Sequence, residues 1–333
     1  MIHLDLPLLS ALFTAFALGM YVLLDGFDLG VGSLLLLQAD ERLRDHMVDS
    51  ITPTWDGNET WLIMAGVALL AAFPIAYGIL LPAFYIPLVV MLLALGLRGV
   101  SFEFRYQAQK RRRRWDIAFG LGSIIATLMQ GLMVGALLRG VAVSGEGFGG
   151  SVFDAFRSFE VLVAIAVLTG YMVLGAGWLR LKGTLGLRAA ATSTLRRATP
   201  VFLILSGATW VSAAIVQPGV RLAWTAHSTA LALLCILFVI DLLMILRAVG
   251  RQSDGVPFAL ALIAFGLSLT GLGFLVFPDI VPFRLTLWQA ASGTLSHVFL
   301  LVGAVIVAPI VLTYSAFAYR VFRGKTPEGG WDS

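Results

Sequence analysis

Residues 51–62, Ile-Thr-Pro-Thr-Trp-Asp-Gly-Asn-Glu-Thr-Trp-Leu, place two acids at the start of an apolar run that must cross a lipid bilayer. From residue 60 to residue 97 there is no charged side chain for 38 positions. One helix of that length would be far too long for a hydrocarbon core of about 30 Å. The run therefore has to fold back, and Pro74 and Gly78 mark where it does so.

The first arm of this run explains why the two acids matter. Residues 61–73 supply roughly 20 Å of helix, which is too short to span. The arm crosses only if it recruits residues 51–60, and this places Asp56 and Glu59 inside the bilayer. Carboxylates are costly in that environment, so they indicate a functional site.

The composition shows that this is an integral membrane protein. The chain is 59% hydrophobic and 13% charged, with a mean hydropathy of +0.92, whereas soluble domains are about 25% charged. We expect no cleaved signal segment. The lone Cys235 excludes an intramolecular disulfide, and no phosphate loop or dinucleotide motif is present.

The apolar runs predict an all-α fold with a single membrane domain, residues 1–333. We predict nine transmembrane helices, arranged as two four-helix groups plus one peripheral helix. Their predicted bounds are 7–37, 50–73, 77–102, 116–138, 156–179, 199–217, 222–246, 256–277 and 289–320. The ninth run is too long for one upright crossing, so its first part, around 287–292, is expected at the interface.

The basic residues predict the orientation of this bundle. With the N-terminus outside, 18 of the 23 Lys and Arg residues lie in cytoplasmic segments and 4 lie in outer segments. This bias predicts an outer N-terminus and a cytoplasmic C-terminus. The run at 110–114, Lys-Arg-Arg-Arg-Arg, is expected to contact anionic lipid headgroups and not nucleic acid.

The orientation also predicts the depth of the buried charges. Asp25 and Asp28 are expected about 14–18 Å above the inner end of the first helix, and Asp56 and Glu59 about 9–14 Å from the same face. Each pair is spaced i, i+3 and is expected to share a helix face. Arg98 is expected about one turn above the inner end of the third helix. All five groups should lie in the cytoplasmic half.

Two interpretations of this cluster stay open. Four acids outnumber one arginine, which favours a polar path that takes protons from the cytoplasm. Alternatively, an ion-paired network around Arg98 only fixes helix packing. Glu103 is expected lower, at the interface.

Other polar groups in the membrane have simpler predicted roles. Asp241 is expected to reach the inner interface, and Glu160 with Arg157 starts the fifth helix on the outer side. His227 and His297 could ligate a haem, but the absence of paired histidines favours hydrogen-bonded structural roles.

Small residues recur at helical spacing in two helices. Gly26 and Gly30 form one Gly-x-x-x-Gly motif, and Gly131 and Gly135 form another. Such motifs predict close helix packing.

Two segments, 25–32 and 51–62, resemble characteristic motifs of subunit II of the cytochrome bd quinol oxidases. The resemblance continues at 98–105, 285–292 and 307–314, and so runs from end to end of the chain. The short outer loops resemble those of the cyanide-insensitive-type branch.

The resemblance implies a bacterial plasma-membrane oxidase that passes electrons from quinol to dioxygen and makes water. In that family subunit II stabilises the large subunit I and lines a proton route. Asp25, Asp28 and Asp56 match the acids assigned to the route, and Arg98 matches the family's arginine at the end of helix three. Glu59 stands where the family motif can carry Gln.

The resemblance also implies cofactors and partners. Haems b and d and the quinol-oxidising loop are expected in subunit I, and no catalytic residue, metal ligand or directly bound haem is expected in this chain. A structural quinone has been associated with subunit II in some members. A small single-helix accessory subunit, membrane lipids and the quinol pool are further expected partners.

Three rival functions follow from the residues themselves. The acids could bind ions in a proton-coupled secondary transporter. His227 and His297 could make the chain a membrane cytochrome, and the acids could belong to a purely structural scaffold.

Overall fold

The computed structural model describes residues 5–108, 111–145, 147–251 and 253–327, without the side chain of Leu185. Twelve α-helices make up most of these described residues. They are α1 (Leu6–Leu35), α2 (Glu41–Asp49), α3 (Trp55–Ala72), α4 (Pro74–Ala83), α5 (Tyr85–Gln107), α6 (Arg112–Arg139), α7 (Ser158–Lys182), α8 (Leu185–Val216), α9 (Pro218–Ala226), α10 (Ser228–Gly250), α11 (Val256–Val276) and α12 (Thr294–Val321). Lys110 of the basic run at 110–114 lies outside the described residues.

Two short antiparallel hairpins complete the fold within the described ranges. Strand β1 (Val143–Ser144) pairs with β2 (Gly147–Phe148), and β3 (Asp279–Val281) pairs with β4 (Leu285–Thr286). The hairpins follow α6 and α11, respectively.

Among the described residues, eight helices are long and apolar enough to cross a membrane: α1, α5, α6, α7, α8, α10, α11 and α12. Helix α3 has 18 residues but carries Asp56, Asn58 and Glu59 in its first two turns. The protein is therefore an all-helical, multi-pass membrane protein.

The apolar run at 60–97 folds back where Pro74 was expected to turn it. Pro74 occupies the first turn of α4, where its missing N–H costs nothing. The predicted third helix is not continuous, because the chain breaks again at Phe84 and α5 starts at Tyr85. With 10 residues, α4 is too short to span.

Two other features differ from the predicted helices. Asp40 caps α2, a helix that the sequence analysis did not predict, by accepting from the N–H groups of Arg42 and Leu43. The predicted seventh helix is split at His227 into α9 and α10.

The described helices pack against one another in groups. Helices α1, α5, α6 and α7 pack side by side, and α7 also packs on α8 and α11, which contact α10. Helix α12 packs mainly on α1 and α3.

Close helix contact at the glycine motifs is confirmed. A Cβ atom on Gly30 would lie 1.8 Å from the carbonyl oxygen of Tyr171, and one on Gly131 would lie 2.3 Å from the Cα of Ala164. Only glycine allows α1 and α6 to approach α7 this closely.

Candidate functional site

A buried ion-paired cluster joins α1, α3 and α5. Nη2 of Arg98 lies 2.6 Å from Oδ1 of Asp25 and 2.7 Å from Oε1 of Glu59. Asp25 and Arg98 are almost completely buried, whereas the Glu59 side chain is 24% exposed. Glu59 is therefore the member of this triad that reaches the surface of the chain.

The three side chains meet because their helices place them at one depth. Helix α5 continues to Gln107, beyond its predicted end at 102, so Arg98 lies about 13 Å above the inner end of α5. Asp25 lies about 15 Å above the end of α1 at Leu35. Arg98 is thus deeper than the single turn expected from the sequence.

Asp28 belongs to the same cluster through hydrogen bonds. Oδ2 of Asp28 accepts from Nδ2 of Asn58 at 2.7 Å, and Oδ1 of Asn58 accepts from the hydroxyl of Tyr319 at 3.0 Å. Asp28 and Asn58 are buried, and Tyr319 lies near the inner end of α12. Sequence reasoning assigned no role to Asn58 or Tyr319.

Asp56 lies one turn before Glu59 on the same side of α3, as predicted, but it does not lie in this buried cluster. Its side chain is exposed at the start of α3. The buried stripe of α3 consists of Asn58, Trp61, Ala65, Ala68 and Ala72, the spacing expected for one helix face. At 100° per residue Asp56 is rotated away from this stripe. In the sequence, the spacing of the small residues of α3 already indicated which face of the helix is buried.

The buried polar groups continue from Asp25 toward the outer half. Tyr21, one turn before Asp25 on α1, accepts from Nε2 of Gln130 at 2.7 Å. Oε1 of Gln130 accepts from the hydroxyl of Tyr171 at 2.9 Å. All three side chains are buried, and they connect α1 to α6 and α7. The sequence analysis did not identify this chain.

A second ionic network joins α2 to the C-terminal end of α5 and the N-terminal end of α6. The buried carboxylate of Asp116 accepts from Nε of Arg44 at 2.8 Å and from Nε of Arg105 at 2.7 Å. Arg105 also contacts Asp45 at 2.5 Å. This network holds α2 against these ends of α5 and α6.

Next to this network, Asp49 ends α2 outside the spanning segments. Burial raises the pKa of Asp49, and its hydrogen bond from the hydroxyl of Tyr106, at 2.9 Å, opposes that rise. Asp49 is therefore a titratable group at the end of α2, separate from the Arg98 cluster.

The remaining membrane acids have partly unexpected surroundings. Glu160 is buried in an ion pair with Arg139 at the outer end of α6, which is a structural role. That Asp241 reaches the inner interface stays a prediction. Its side chain is buried, because it lies on the face of α10 that also buries Phe238, Leu242 and Ile245.

The two membrane histidines lie in different parts of the molecule. Nδ1 of His297 is 2.8 Å from the hydroxyl of Ser10, and the ring packs on Phe73. His227 is exposed between α9 and α10, where it packs on Phe274. Within the described ranges, no group of three or more His, Cys, Asp or Glu could hold a metal ion.

The arrangement around Arg98 can hold protons. Asp25, Asp28 and Glu59 offer three carboxyl groups, and the only cation in ion-pair contact with any of them, within the described part of the chain, is Arg98. Burying unpaired negative charge costs several kcal/mol, so such a cluster retains protons that an exposed cluster would lose.

Comparison with known proteins identifies relatives over nearly the whole chain. A family model described as "Cytochrome bd terminal oxidase subunit II" matches residues 6–322. The chain is 29% identical to "Cytochrome bd-I ubiquinol oxidase subunit 2" of Escherichia coli, over 92% of this chain and 91% of that protein. It is also 29% identical to "Cytochrome bd ubiquinol oxidase subunit 2" of Bacillus subtilis, over 92% of each chain.

A solved structure shows the same fold. A chain of the bd oxidase from Geobacillus thermodenitrificans superposes with a TM-score of 0.76 at 17% identity. The match covers 96% of this chain and 99% of the other.

Proposed function

The chain belongs to the subunit II family of cytochrome bd terminal oxidases, and we propose that it supports the haem-bearing large subunit of such an oxidase and brings protons to it from the cytoplasm. The enzyme is then a quinol:oxygen oxidoreductase, and this chain acts as a subunit without its own redox centre. The relatives named as ubiquinol oxidase subunit 2 support this assignment.

One observation carries the proton path. Buried Asp25 and partly exposed Glu59 share a single Nη2 of Arg98, and Asp28 lies beside them. We assign Glu59 as the point where this cluster opens to the surface of α3. Asp56, exposed one turn earlier on α3, is placed to pass protons between that surface and the partner subunit. Arg98 stabilises the ionised forms of the acids.

Topology and location follow from the same proposal. We assign nine crossings, with α3 completed by its neighbours as the crossing beyond the eight apolar helices. The bias of Lys and Arg places the N-terminus outside and the C-terminus in the cytoplasm of a bacterial plasma membrane. Haems b and d are assigned to the large subunit. A structural quinone and a single-helix accessory subunit stay predictions of the resemblance.

Affinity purification of the chain from its native membrane tests the oxidase assignment. A haem-rich partner should co-purify, and the complex should consume oxygen when quinol is added. A colourless chain without a partner that takes up a solute would contradict the proposal and favour the proton-coupled transporter. Haem bound to the isolated chain would favour the membrane cytochrome instead.

Asp56→Asn tests the proton path within the purified oxidase. We expect slower quinol-driven oxygen uptake with an unchanged haem spectrum, because the amide cannot take up a proton at this position. Glu103→Gln is a matched control, since Glu103 is an exposed acid near the inner end of α5, away from the cluster. Equal turnover of the Asp56 variant and the control would show that Asp56 lies on no obligatory path.

A further inference from the structure

A buried arginine lies where α7 ends, far along the chain from the Arg98 cluster. The side chain of Arg180 is covered by its neighbours and is 2% exposed. Its Nε donates to the carbonyl oxygen of Ser253 at 2.7 Å, its Nη2 donates to that of Val249 at 3.3 Å, and its Nη1 donates to the hydroxyl of Thr192. These three acceptors are neutral groups. The Arg180 guanidinium therefore keeps a full positive charge in a covered position.

Two further cations share one carboxylate beside Arg180. Oδ1 of Asp254 lies 2.7 Å from Nε of Arg188, and Oδ2 of Asp254 lies 3.0 Å from Nζ of Lys325. The same Nζ lies 3.2 Å from the carbonyl oxygen of Arg180, which joins the two groups. We call Arg180, Arg188, Lys325 and Asp254 the basic cluster. Its three cations have one carboxylate between them.

Two more cations add to the positive charge around the basic cluster. Lys182, two residues after Arg180, is buried and donates to the carbonyl oxygen of Phe322. Arg196 on α8 lies near enough to repel Arg180, as Arg188 does. A region lined by charges of one sign concentrates ions of the opposite sign. The basic cluster and its surroundings therefore attract anions.

Hydrogen bonds to helix ends do not cancel this charge. The carbonyl groups that Arg180, Lys182 and Lys325 contact lie at the ends of α10, α12 and α7, respectively. Such contacts cap a helix, but the end of a helix carries only about half of a negative charge. Each capping side chain brings a whole positive charge, so the excess remains.

The surroundings of the basic cluster suit a lipid headgroup. The side chains of Lys325 and Arg188 are 43% and 27% exposed, so an anion can reach both. Helices α7, α10, α11 and α12 are long and apolar enough to span a membrane, and their ends then lie near the level of the headgroups. Val321 and Val256, each a few residues from the cluster, are exposed apolar residues along which acyl chains can pack.

We propose that the basic cluster binds the phosphate group of an anionic phospholipid. Arg188 and Lys325 contact the phosphate oxygens, and Arg180 adds positive charge behind them. The hydroxyl of Thr326, next to Lys325, is buried without a hydrogen-bond partner in the described chain and offers a further donor. The site shares no residue with the Arg98 cluster, so this inference does not depend on the proposed proton path.

Native mass spectrometry of the purified complex tests the proposal by counting bound lipids. We expect phosphatidylglycerol to bind more tightly than phosphatidylcholine, which has no net charge, and inorganic phosphate not to displace it. Lys325→Gln and Arg188→Gln should each weaken the binding of phosphatidylglycerol about fivefold, as expected for the loss of one basic group near a membrane surface. Arg323→Gln is the matched control, because Arg323 is an exposed cation two residues before Lys325. Its affinity for phosphatidylglycerol should equal that of the parent.

Asp254→Asn separates anion binding from a general loss of structure. The Asp254 carboxylate competes with an incoming phosphate for Arg188 and Lys325, so its removal should tighten the binding of phosphatidylglycerol about fivefold. A merely disturbed loop would weaken it, and that result would overturn the site. Equal weakening in Arg323→Gln and Lys325→Gln would show general attraction to a basic surface and would also overturn it. Displacement of the lipid by inorganic phosphate would overturn the choice of a lipid.

Discussion

Replacing Arg98 with Met is the sharpest perturbation of the buried cluster. The side chain is buried, and its Nη2 contacts two carboxylates on two other helices, Asp25 and Glu59. Methionine fills similar space without the charge. The substitution therefore removes the cation and leaves the acids in place.

The size of the effect follows from what the stranded acids must do. Two unit charges about 4 Å apart attract by about 4 kcal/mol at an effective dielectric constant of about 20. Without Arg98, a carboxylate can avoid this loss by taking up a proton. Keeping an acid that ordinarily ionises near pH 4 protonated at pH 7 costs about 4 kcal/mol. We therefore expect a loss of about 3–5 kcal/mol, the usual cost of breaking a buried pair.

The sign of the pH dependence follows from proton counting. In Arg98→Met the folded state holds more protons than the unfolded state, so its stability falls as pH rises above about 4. Relative to the parent, the variant should lose about 1.4 kcal/mol per pH unit for each extra proton held. Thermal unfolding of the purified oxidase from about pH 5 to about pH 8 measures this slope.

Two further variants show whether the loss of stability comes from the missing charge of Arg98. Arg98→Lys should retain much of the stability, because one nitrogen makes both ion pairs in the parent. Arg98→Met/Asp25→Asn should recover part of the loss, since one stranded carboxylate is gone. If Arg98→Met melted like the parent at every pH, the buried cluster would not be held by its charges and our reasoning would be refuted.

Two more substitutions test how the cluster is held in place. Gly30→Ala should prevent assembly of a stable oxidase, because its methyl group would overlap the Tyr171 carbonyl. Gly66→Ala should assemble normally, because nothing lies within 4 Å of the added methyl group. The yield of purified complex measures both effects. Asp116→Asn should lower the thermal stability of the complex by about 3–5 kcal/mol, because it breaks the buried ion pair of Arg44 and leaves Arg105 with Asp45 alone. An unchanged melting temperature would contradict that structural role.

The motifs at 25–32 and 51–62 were sufficient to predict the family, and the family model supports that prediction. Long uncharged runs allow little except membrane helices, so the helical class and most crossings could be predicted from hydropathy. The breaks between helices were harder to predict from the sequence. Phe84 and His227 interrupt helices in apolar surroundings, where composition gives little warning.

That Asp25, Asp28, Glu59 and Arg98 lie at a similar level of the bundle was predictable, because a helix rises by a fixed length per residue, although Arg98 lies further from the end of α5 than the sequence predicted. Which side chains meet at that level was not predictable. Asp56 and Asn58 are two positions apart in one motif, yet only Asn58 faces Asp28.

The sequence by itself determined that a helical membrane protein of this family carries a cluster of polar side chains within its helices. Only the tertiary structure decided the membership of that cluster, by rotating α3 so that Asn58 points inward and by bringing Tyr319 from the far end of the chain. The physical reason is that hydropathy and helical rise act along one helix, whereas the rotation of a helix depends on the small residues that it packs against its neighbours.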